Sequence, residues 1–162
     1  MSYDAGISYI KNVLKATKAL LKNPNDLDAR GIIMMGASLS TSSRMGIGKE
    51  EVYAYDIYEL EFLPEKLFGS SYRRSLTSIF PRFLEAMGKR HAEDVGKYYL
   101  DVFGFDSSIE ESSRKLVALF SDFGVDMYYD GIINREQVGC IPCDTELDEN
   151  EIFEMINGLI RK

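Results

Sequence analysis

Apolar side chains recur every three or four positions along most of the chain, the spacing of one face of an α-helix. Residues 4–21 show it first, with Ile7, Ile10, Val13 and Leu14 along one face. No stretch alternates apolar and polar residues as a half-buried strand does. The predicted helices cover about residues 4–21, 26–43, 49–62, 71–87, 91–103, 108–123 and 148–160. The sequence therefore predicts an all-α bundle of about seven helices, forming one domain over residues 1–162.

Helix-capping and helix-breaking residues set the predicted ends of the helices. Pro64 should stop the third helix, because proline disfavours the helical conformation in the residue before it. Gly104 suits the left-handed conformation that follows a helix end, and it should end the fifth helix. The capping boxes Ser108–Glu111 and Asp148–Glu151 should begin the last two helices. Residues 125–145 read as a loop. The second helix is apolar nearly all round, so it is expected to be central and closely packed.

Composition narrows the possible functions. The net charge of -7 disfavours nucleic-acid binding, and the one basic cluster, Arg73-Arg74, is too short to change that. No apolar run reaches the roughly 20 residues of a membrane-spanning helix, and Met1–Gly6 lacks the features of a signal peptide. Two cysteines are too few for a disulfide scaffold. These features predict a cytoplasmic protein without nucleic-acid or membrane partners.

The most informative motif lies between residues 58 and 81. It consists of Tyr58–Phe62, then Tyr72–Thr77, then Phe80-Pro81. This stretch resembles the metal-binding core of the iron-containing (group III) alcohol dehydrogenases, of the butanol dehydrogenase and NADPH-dependent aldehyde reductase type. That core reads H-x-I-E-H, then H-G-x-G-L-A, then F-P. Aligned without a gap, its Glu falls on Glu61 and its Phe-Pro on Phe80-Pro81.

Other parts of the chain extend the resemblance in the family's order. Residues 22–30 resemble its k-x-P-x-d-x-x-A-R stretch, residues 31–39 its small-residue helix, and residues 102–105 its v-F-G-i. Residues 120–125 resemble its F-x-x-l-G-l/v-P, although Asp126 replaces the proline. The resemblance implies the C-terminal helical domain of the dehydroquinate synthase-like fold. It also implies a family that uses NAD(P) and iron or zinc to interconvert alcohols and carbonyl compounds.

The chain departs from the family where the metal is held. The two metal-binding histidines fall on Tyr58 and Tyr72, a third histidine falls on Phe62, and two motif glycines become Arg73 and Ser75. Phenol and benzyl groups do not replace a neutral imidazole on a divalent metal. The family's other two ligands would precede Met1, so the chain is expected to begin one or two helices late.

The nucleotide-binding half of the family also has no counterpart in the sequence. No stretch resembles its Rossmann-like domain, and Gly46–Lys49 is too short for a dinucleotide fingerprint and reads as a loop. We therefore predict no catalytic, cofactor-binding or metal-binding residue in this chain. Alcohol dehydrogenase activity of the chain alone is not expected.

Three further features have mainly structural interpretations. His91, the single histidine, lies among charged residues at a helix start and is predicted to be a surface residue. Cys140 and Cys143 have the C-x-x-C spacing, but they lie in a predicted loop without a second ligand pair. Two reduced cysteines are the default interpretation, and a redox or metal role is the alternative. Residues 144–154 are acidic but lack the glycine and ligand rhythm of a calcium loop.

A sharper hypothesis concerns Tyr58 and Tyr72. Since the histidines they replace meet at one ion, the two rings are predicted to pack together, fill the former metal pocket and pair their hydroxyl groups.

Three functions remain open from the sequence. The first is a truncated, catalytically degenerate homologue of the helical domain that acts through protein–protein association, with itself or with a separately encoded partner. The second is a subunit of a split NAD(P)-dependent metal alcohol or aldehyde oxidoreductase that another chain completes. The third is a small-molecule binding module that uses an aromatic cleft left by the cofactor.

Overall fold

The computed structural model describes residues 2–40, 55–139, 141, 143 and 145–161. These residues form eight helices and no strand, which confirms the predicted all-α class. The helices are α1 (Ser2–Lys22), α2 (Leu27–Ser40), α3 (Tyr55–Phe68), α4 (Tyr72–Met87), α5 (Ala92–Phe103), α6 (Ile109–Asp122), α7 (Arg135–Gly139) and α8 (Glu149–Asn157). None of these helices combines the length and the apolarity that a bilayer crossing requires.

The chain divides into two compact units. The first comprises Met1–Tyr53 with Leu100–Gly104, and the second comprises Ala54–Tyr99 with Phe105–Lys162. The prediction of one helical domain over residues 1–162 stays a prediction. The predicted glycine turn at residues 44–48 and the start of the predicted third helix lie outside the described residues.

In the first unit, α1 and α2 pack side by side. Asp26 caps α2, because its Oδ1 accepts a hydrogen bond from the Ala29 amide at 2.9 Å. The closest approach is at Gly36, where a Cβ atom would lie 2.7 Å from the Tyr9 hydroxyl and 3.0 Å from Val13. A side chain at position 36 would therefore require the Tyr9 ring to move and would crowd Val13.

The expectation that α2 is central is wrong, although its Gly36 side does pack closely on α1. Only Ala29 and Gly36 of this helix are buried, whereas Leu27, Met34 and Met35 are well exposed. The helix is apolar on both sides, but only its small-residue side packs against α1.

In the second unit, α4 packs against α3, α6 and α8. The core lies between these helices and consists of large aliphatic and aromatic side chains from all parts of the unit, among them Leu60, Leu63, Ile79, Phe83, Tyr129, Ile156 and Leu159. The C-terminal residues close over it. The Tyr129 amide donates to the Leu159 carbonyl at 2.8 Å, and the Arg161 amide donates to the Tyr129 carbonyl at 2.9 Å.

The end of α3 corrects a prediction. The helix does not stop before Pro64 but continues to Phe68, with the Pro64 ring fully buried inside the unit. Packing of that ring compensates for the one backbone donor that proline lacks. The helix ends instead at Gly69, whose φ of 63° is accessible to glycine at little cost. The Gly69 amide donates to the Glu65 carbonyl at 3.0 Å and completes the cap.

Another correction concerns residues 125–145, which were predicted to be a loop. They contain the short helix α7, and its start has a reciprocal pair of hydrogen bonds. The Gln137 amide donates to Asn134 Oδ1 at 2.8 Å, and the Asn134 amide donates to Gln137 Oε1 at 2.9 Å. This Asn-x-x-Gln arrangement is a variant of the capping box and was a readable signal in the sequence.

The predicted box at Asp148 is confirmed in full. Its carboxylate accepts from the Glu151 amide at 2.9 Å, and the Glu151 carboxylate accepts from the Asp148 amide at 3.1 Å. We expect Asp148→Ala to lower the free energy of unfolding by about 1 kcal/mol, because α8 loses its cap. Urea unfolding followed by circular dichroism measures this loss.

The matched control is Ser71, which precedes α4 without forming a side-chain cap hydrogen bond. Ser71→Ala should change stability by no more than about 0.3 kcal/mol. Equal losses in the two variants would contradict the role assigned to the Asp148 carboxylate.

Candidate functional site

One face of α3 carries both the aromatic residues of the sequence motif and two carboxylates. Tyr58, Glu61, Phe62 and Glu65 lie three or four positions apart, so they share one side of the helix. The short connection through Gly69 brings the first turn of α4 back alongside, since α3 and α4 pack against each other. All the residues of this site belong to the second unit.

The two former ligand positions are both on the surface of that unit. The exposed fraction is 43% for Tyr58 and 49% for Tyr72. Each is close enough to the other for the charge of Tyr58 to contribute to the raised pKa of Tyr72. Yet no ring contact and no hydrogen bond joins these two described side chains. The prediction that the rings pack together and fill a dry pocket is therefore wrong; both remain in contact with solvent.

Glu61 follows Tyr58 by three residues on α3, and its charge contributes to the raised pKa of Tyr72. Its exposed fraction is 2%, and its Oε2 atom has no hydrogen-bond partner among the described residues. Burial, and secondarily the neighbouring charge of Glu65, raises the pKa of this carboxyl from 4.5 to about 7. Loss of hydration penalises the ionised form, and a second carboxylate one turn away adds repulsion. Near neutral pH, Glu61 is therefore divided between its protonated and ionised forms.

Two further buried polar atoms near α3 and α4 lack partners. They are Glu65 Oε1 and the hydroxyl of Ser75, a residue that is fully buried. The Ser75 carbonyl does accept a hydrogen bond from the Ser78 hydroxyl at 3.0 Å, but its own Oγ has no partner among the described residues. A buried polar atom without a hydrogen bond costs about 1–3 kcal/mol, so such a group in a native protein requires an explanation.

These positions do not fit the family's metal. Burial, followed by the charges of Glu61, Tyr58 and Glu65, raises the pKa of the Tyr72 hydroxyl, so the phenolate form that binds metals is disfavoured. The rings at positions 58 and 62 are a phenol and a benzyl group, and neither offers an imidazole nitrogen. Within the described part of the chain, no three His, Cys, Asp or Glu side chains come together as a metal-binding group.

Arg73 and Ser75, which stand at the glycine positions of the motif, differ in exposure. Arg73 is exposed, whereas Ser75 is fully buried. Arg74, between them, is a structural residue that sequence reasoning missed. It donates to the Tyr128 carbonyl, pairs with Asp126 at 2.9 Å, and lies over the Tyr129 ring at 4.3 Å. Arg74 thus holds α4 against residues 126–129.

The remaining candidates lie away from this site. His91 is exposed, as predicted, and its Nε2 lies 3.1 Å from Glu146 Oε2. Cys143 is half-buried, and burial, with a smaller contribution from Glu59, raises the pKa of its thiol. A reactive thiol requires the opposite shift. Cys140, the other half of the C-x-x-C pattern, and residues 46–49 lie outside the described residues.

The site residue that sequence reasoning underestimated is Glu61. The alignment identified it only as the motif's Glu, not as a buried carboxylate. One available signal was the four-residue spacing of Glu61 and Glu65 beside the buried positions Ile57, Leu60 and Pro64.

Comparison with family models, curated proteins and solved structures returns no match, so the resemblance to the iron-containing alcohol dehydrogenases stays a prediction from the residues described above.

Proposed function

We propose that this chain is a catalytically degenerate homologue of the helical domain of the iron-containing alcohol dehydrogenases, with the corresponding dehydroquinate synthase-like fold, and that it acts through protein–protein association. The degenerate character is supported by the donor groups at the motif positions. Carbonyl reduction in that family needs a metal ion that polarises the carbonyl oxygen. Tyr58 and Tyr72 offer phenol groups where imidazoles would be required.

The observation that carries the associative part is the exposed apolar face of α2. The exposed fractions are 79% for Leu27, 43% for Ile32, 73% for Met34 and 63% for Met35. Residues 31–40 contain no charged side chain at all. Contiguous exposed apolar surface of this kind marks interaction sites, because its burial against a partner releases structured water.

The shape of this face is also suited to a partner. A groove of about 620 Å³ runs beside α2 in the first unit, lined by Tyr9, Met35 and Leu39 among others. Methionine side chains are flexible and polarisable, so they adapt to an incoming surface. Gly31 has no atom within 4 Å of its Cβ position, which leaves room for close approach of another helix. The partner is a second copy of this chain or a separately encoded protein.

The test is the solution mass of the wild-type protein and of the double variant Met34→Lys, Met35→Lys, measured by analytical ultracentrifugation over a micromolar concentration series. We expect the wild type to form a dimer or a larger oligomer, and the variant to be monomeric, because two charges in an apolar interface require desolvation. Both positions are exposed, so folding of the variant should be intact.

Ile132→Lys provides the matched control, since Ile132 is another exposed apolar residue, in the second unit. It should leave the mass unchanged. A monomeric wild type would exclude association with a second copy and leave only a separate partner. If the chain is instead a subunit of a split oxidoreductase, NAD(P)-dependent aldehyde reduction should appear when the completing chain is added.

A further inference from the structure

One stripe of exposed residues runs along α2. Its members recur at intervals of four, three and four positions, the spacing of a single helix face, and they are Leu27, Gly31, Met34 and Ser38. The other side of α2 is the one that packs on α1, where Gly36 is buried against Tyr9 and Val13. These four residues, the α2 stripe, therefore face away from α1.

Gly31 lies at the centre of the large residues of the α2 stripe. Leu27 precedes it by about 6 Å along the helix axis and Met34 follows it by about 4.5 Å, at 1.5 Å per residue. No atom lies within 4 Å of the position where a Cβ atom of Gly31 would be, so another backbone can approach closely there. The stripe is thus nearly symmetric, with one large apolar side chain on each side of a glycine.

A surface of this shape is complementary to itself. If two α2 helices cross at Gly31 in opposite directions, a two-fold axis passes between the two glycines. Leu27 of each copy then meets Met34 of the other copy, and both copies form the same contacts, as in an isologous interface. A parallel pair would instead place Leu27 beside Leu27 and bring like ends of the two helix dipoles together, which is less favourable.

The charges around the α2 stripe are compatible with a second copy. Asp28 and Arg30 each adjoin a stripe residue in sequence, so they lie about 100° to either side of it and form a polar rim. Residues 31–40 contain no charged side chain, so two chains of net charge -7 bring no like charges together at the centre. An uncharged face also gives no electrostatic preference for a basic partner.

The area of the face reaches what a dimer needs. The exposed parts of its apolar side chains amount to roughly 500 Å² per copy, contributed by Leu27, Ile32, Met34 and Met35. A symmetric pair would therefore bury about 1,000 Å² in total, the lower end of the range for specific interfaces.

We propose that the partner bound at α2 is a second copy of this chain, held by antiparallel packing of the two α2 stripes across a two-fold axis at Gly31. This inference rests on the proposed function, because it requires association through α2, and it identifies the partner. Since the buried area is small, the dimer should be weak, with a Kd in the micromolar range.

The first experiment is disulfide cross-linking of single-cysteine variants of the full chain, in which Cys140 and Cys143 are replaced by serine. Gly31→Cys places two thiols beside the axis, within the Cα separation of about 4.4–6.8 Å that a disulfide requires, and should give a covalent dimer under mild oxidation. Ser38→Cys is the matched control on the same stripe. An antiparallel pair sets its two copies about 21 Å apart along the helix axis, so this variant should remain a monomer on a non-reducing gel.

A second experiment tests whether Gly31 lies on the axis, where it would contact its own counterpart. Gly31→Glu and Gly31→Lys should each weaken dimerisation at least about tenfold, because each brings two like charges together. An equimolar mixture of the two should associate at least about tenfold more tightly than either variant alone, as measured by sedimentation. Both variants should retain the helix content of the wild type, since the Cβ position of Gly31 is open.

Cross-linking at both cysteine positions would indicate a parallel pair and overturn the proposal, and so would cross-linking at neither or at Ser38→Cys alone. A mixture of the charged variants that is no tighter than each alone would also overturn it. A wild type that stays monomeric at micromolar concentration overturns this inference but leaves the proposed function with a separately encoded partner. Dimerisation that persists in the double variant Met34→Lys, Met35→Lys contradicts the proposed function itself, so the two fail separately.

Discussion

Glu61→Gln is expected to make the protein more stable than the wild type above pH 7, by about 2–3 kcal/mol. In the wild type, burial and the neighbouring Glu65 raise the pKa of Glu61 from 4.5 to about 7. Ionising this covered carboxylate in the folded protein costs free energy that the unfolded chain does not incur. Glutamine has nearly the same shape and carries no charge. Chemical unfolding at a series of pH values, in buffer free of amines, measures the difference.

The pH profile has a definite sign. Below the unfolded pKa near 4.5 the carboxyl is protonated in both states and has no effect on stability. Between 4.5 and 7 the folded protein binds the proton more tightly than the unfolded chain, so wild-type stability falls as pH rises, and it levels off above 7. In Glu61→Gln this fall should be absent.

The control for this prediction is Glu59→Gln, since Glu59 is exposed two residues away on the same helix. Its pH profile should follow that of the wild type. If Glu61→Gln is less stable than the wild type at pH 8, the carboxylate has a stabilising partner and the account of Glu61 as an unpaired buried acid is wrong.

Ile156→Ala is expected to lower the free energy of unfolding by about 2–5 kcal/mol. Ile156 lies on α8, is fully buried, and belongs to the core cluster that α3, α4 and α8 share. Truncation removes apolar contact and leaves a cavity that the surrounding helices fill only in part. The same unfolding measurement, at pH 5.5, reports the loss.

Ile132 provides the control, an isoleucine that receives the same substitution at an exposed position. It is the same residue type but is 92% exposed, so Ile132→Ala should change stability by no more than about 0.5 kcal/mol. A loss at Ile132 that equals the loss at Ile156 would contradict the burial assigned to α8 and hence the position of the core.

Local signals in the sequence predicted the features of the fold that depend on local chemistry. The cap at Asp148 and the glycine end at Gly104 involve residues within one turn of each other, and both are observed. The continuation of α3 through Pro64 was not predictable in this way. The Pro64 ring is fully buried, and local signals in the sequence do not report burial.

The exposure of α2 illustrates a similar limit. A helix with apolar residues on both sides is typical of a central position, and the sequence alone gives no reason to expect otherwise. Apolar residues on both sides are found in a helix that is buried within its own chain and also in a helix whose second face binds a partner, so the pattern does not distinguish the two. The structure shows the exposed side at Leu27, Met34 and Met35, and this exposure is what supports the proposed association.

At the candidate site, the sequence predicted which residue types stand at the motif positions but not how they are arranged. Tyr58 and Tyr72 were expected to pack together, yet each remains nearly half exposed. Glu61 and Ser75 are buried in a unit where α4 packs against α3. Local periodicity does not report that packing, and only the three-dimensional structure shows which buried oxygens have no partner among the described residues.

The central claim is that the positions which would hold an ion in the iron-containing alcohol dehydrogenases no longer do so in this chain. Its most direct test is the metal content of untagged protein, purified without chelators and measured by inductively coupled plasma mass spectrometry. We predict iron and zinc well below one equivalent per chain, with no change in Tyr58→Phe or Tyr72→Phe. One equivalent of iron or zinc in the wild type that is lost in either variant would contradict the account.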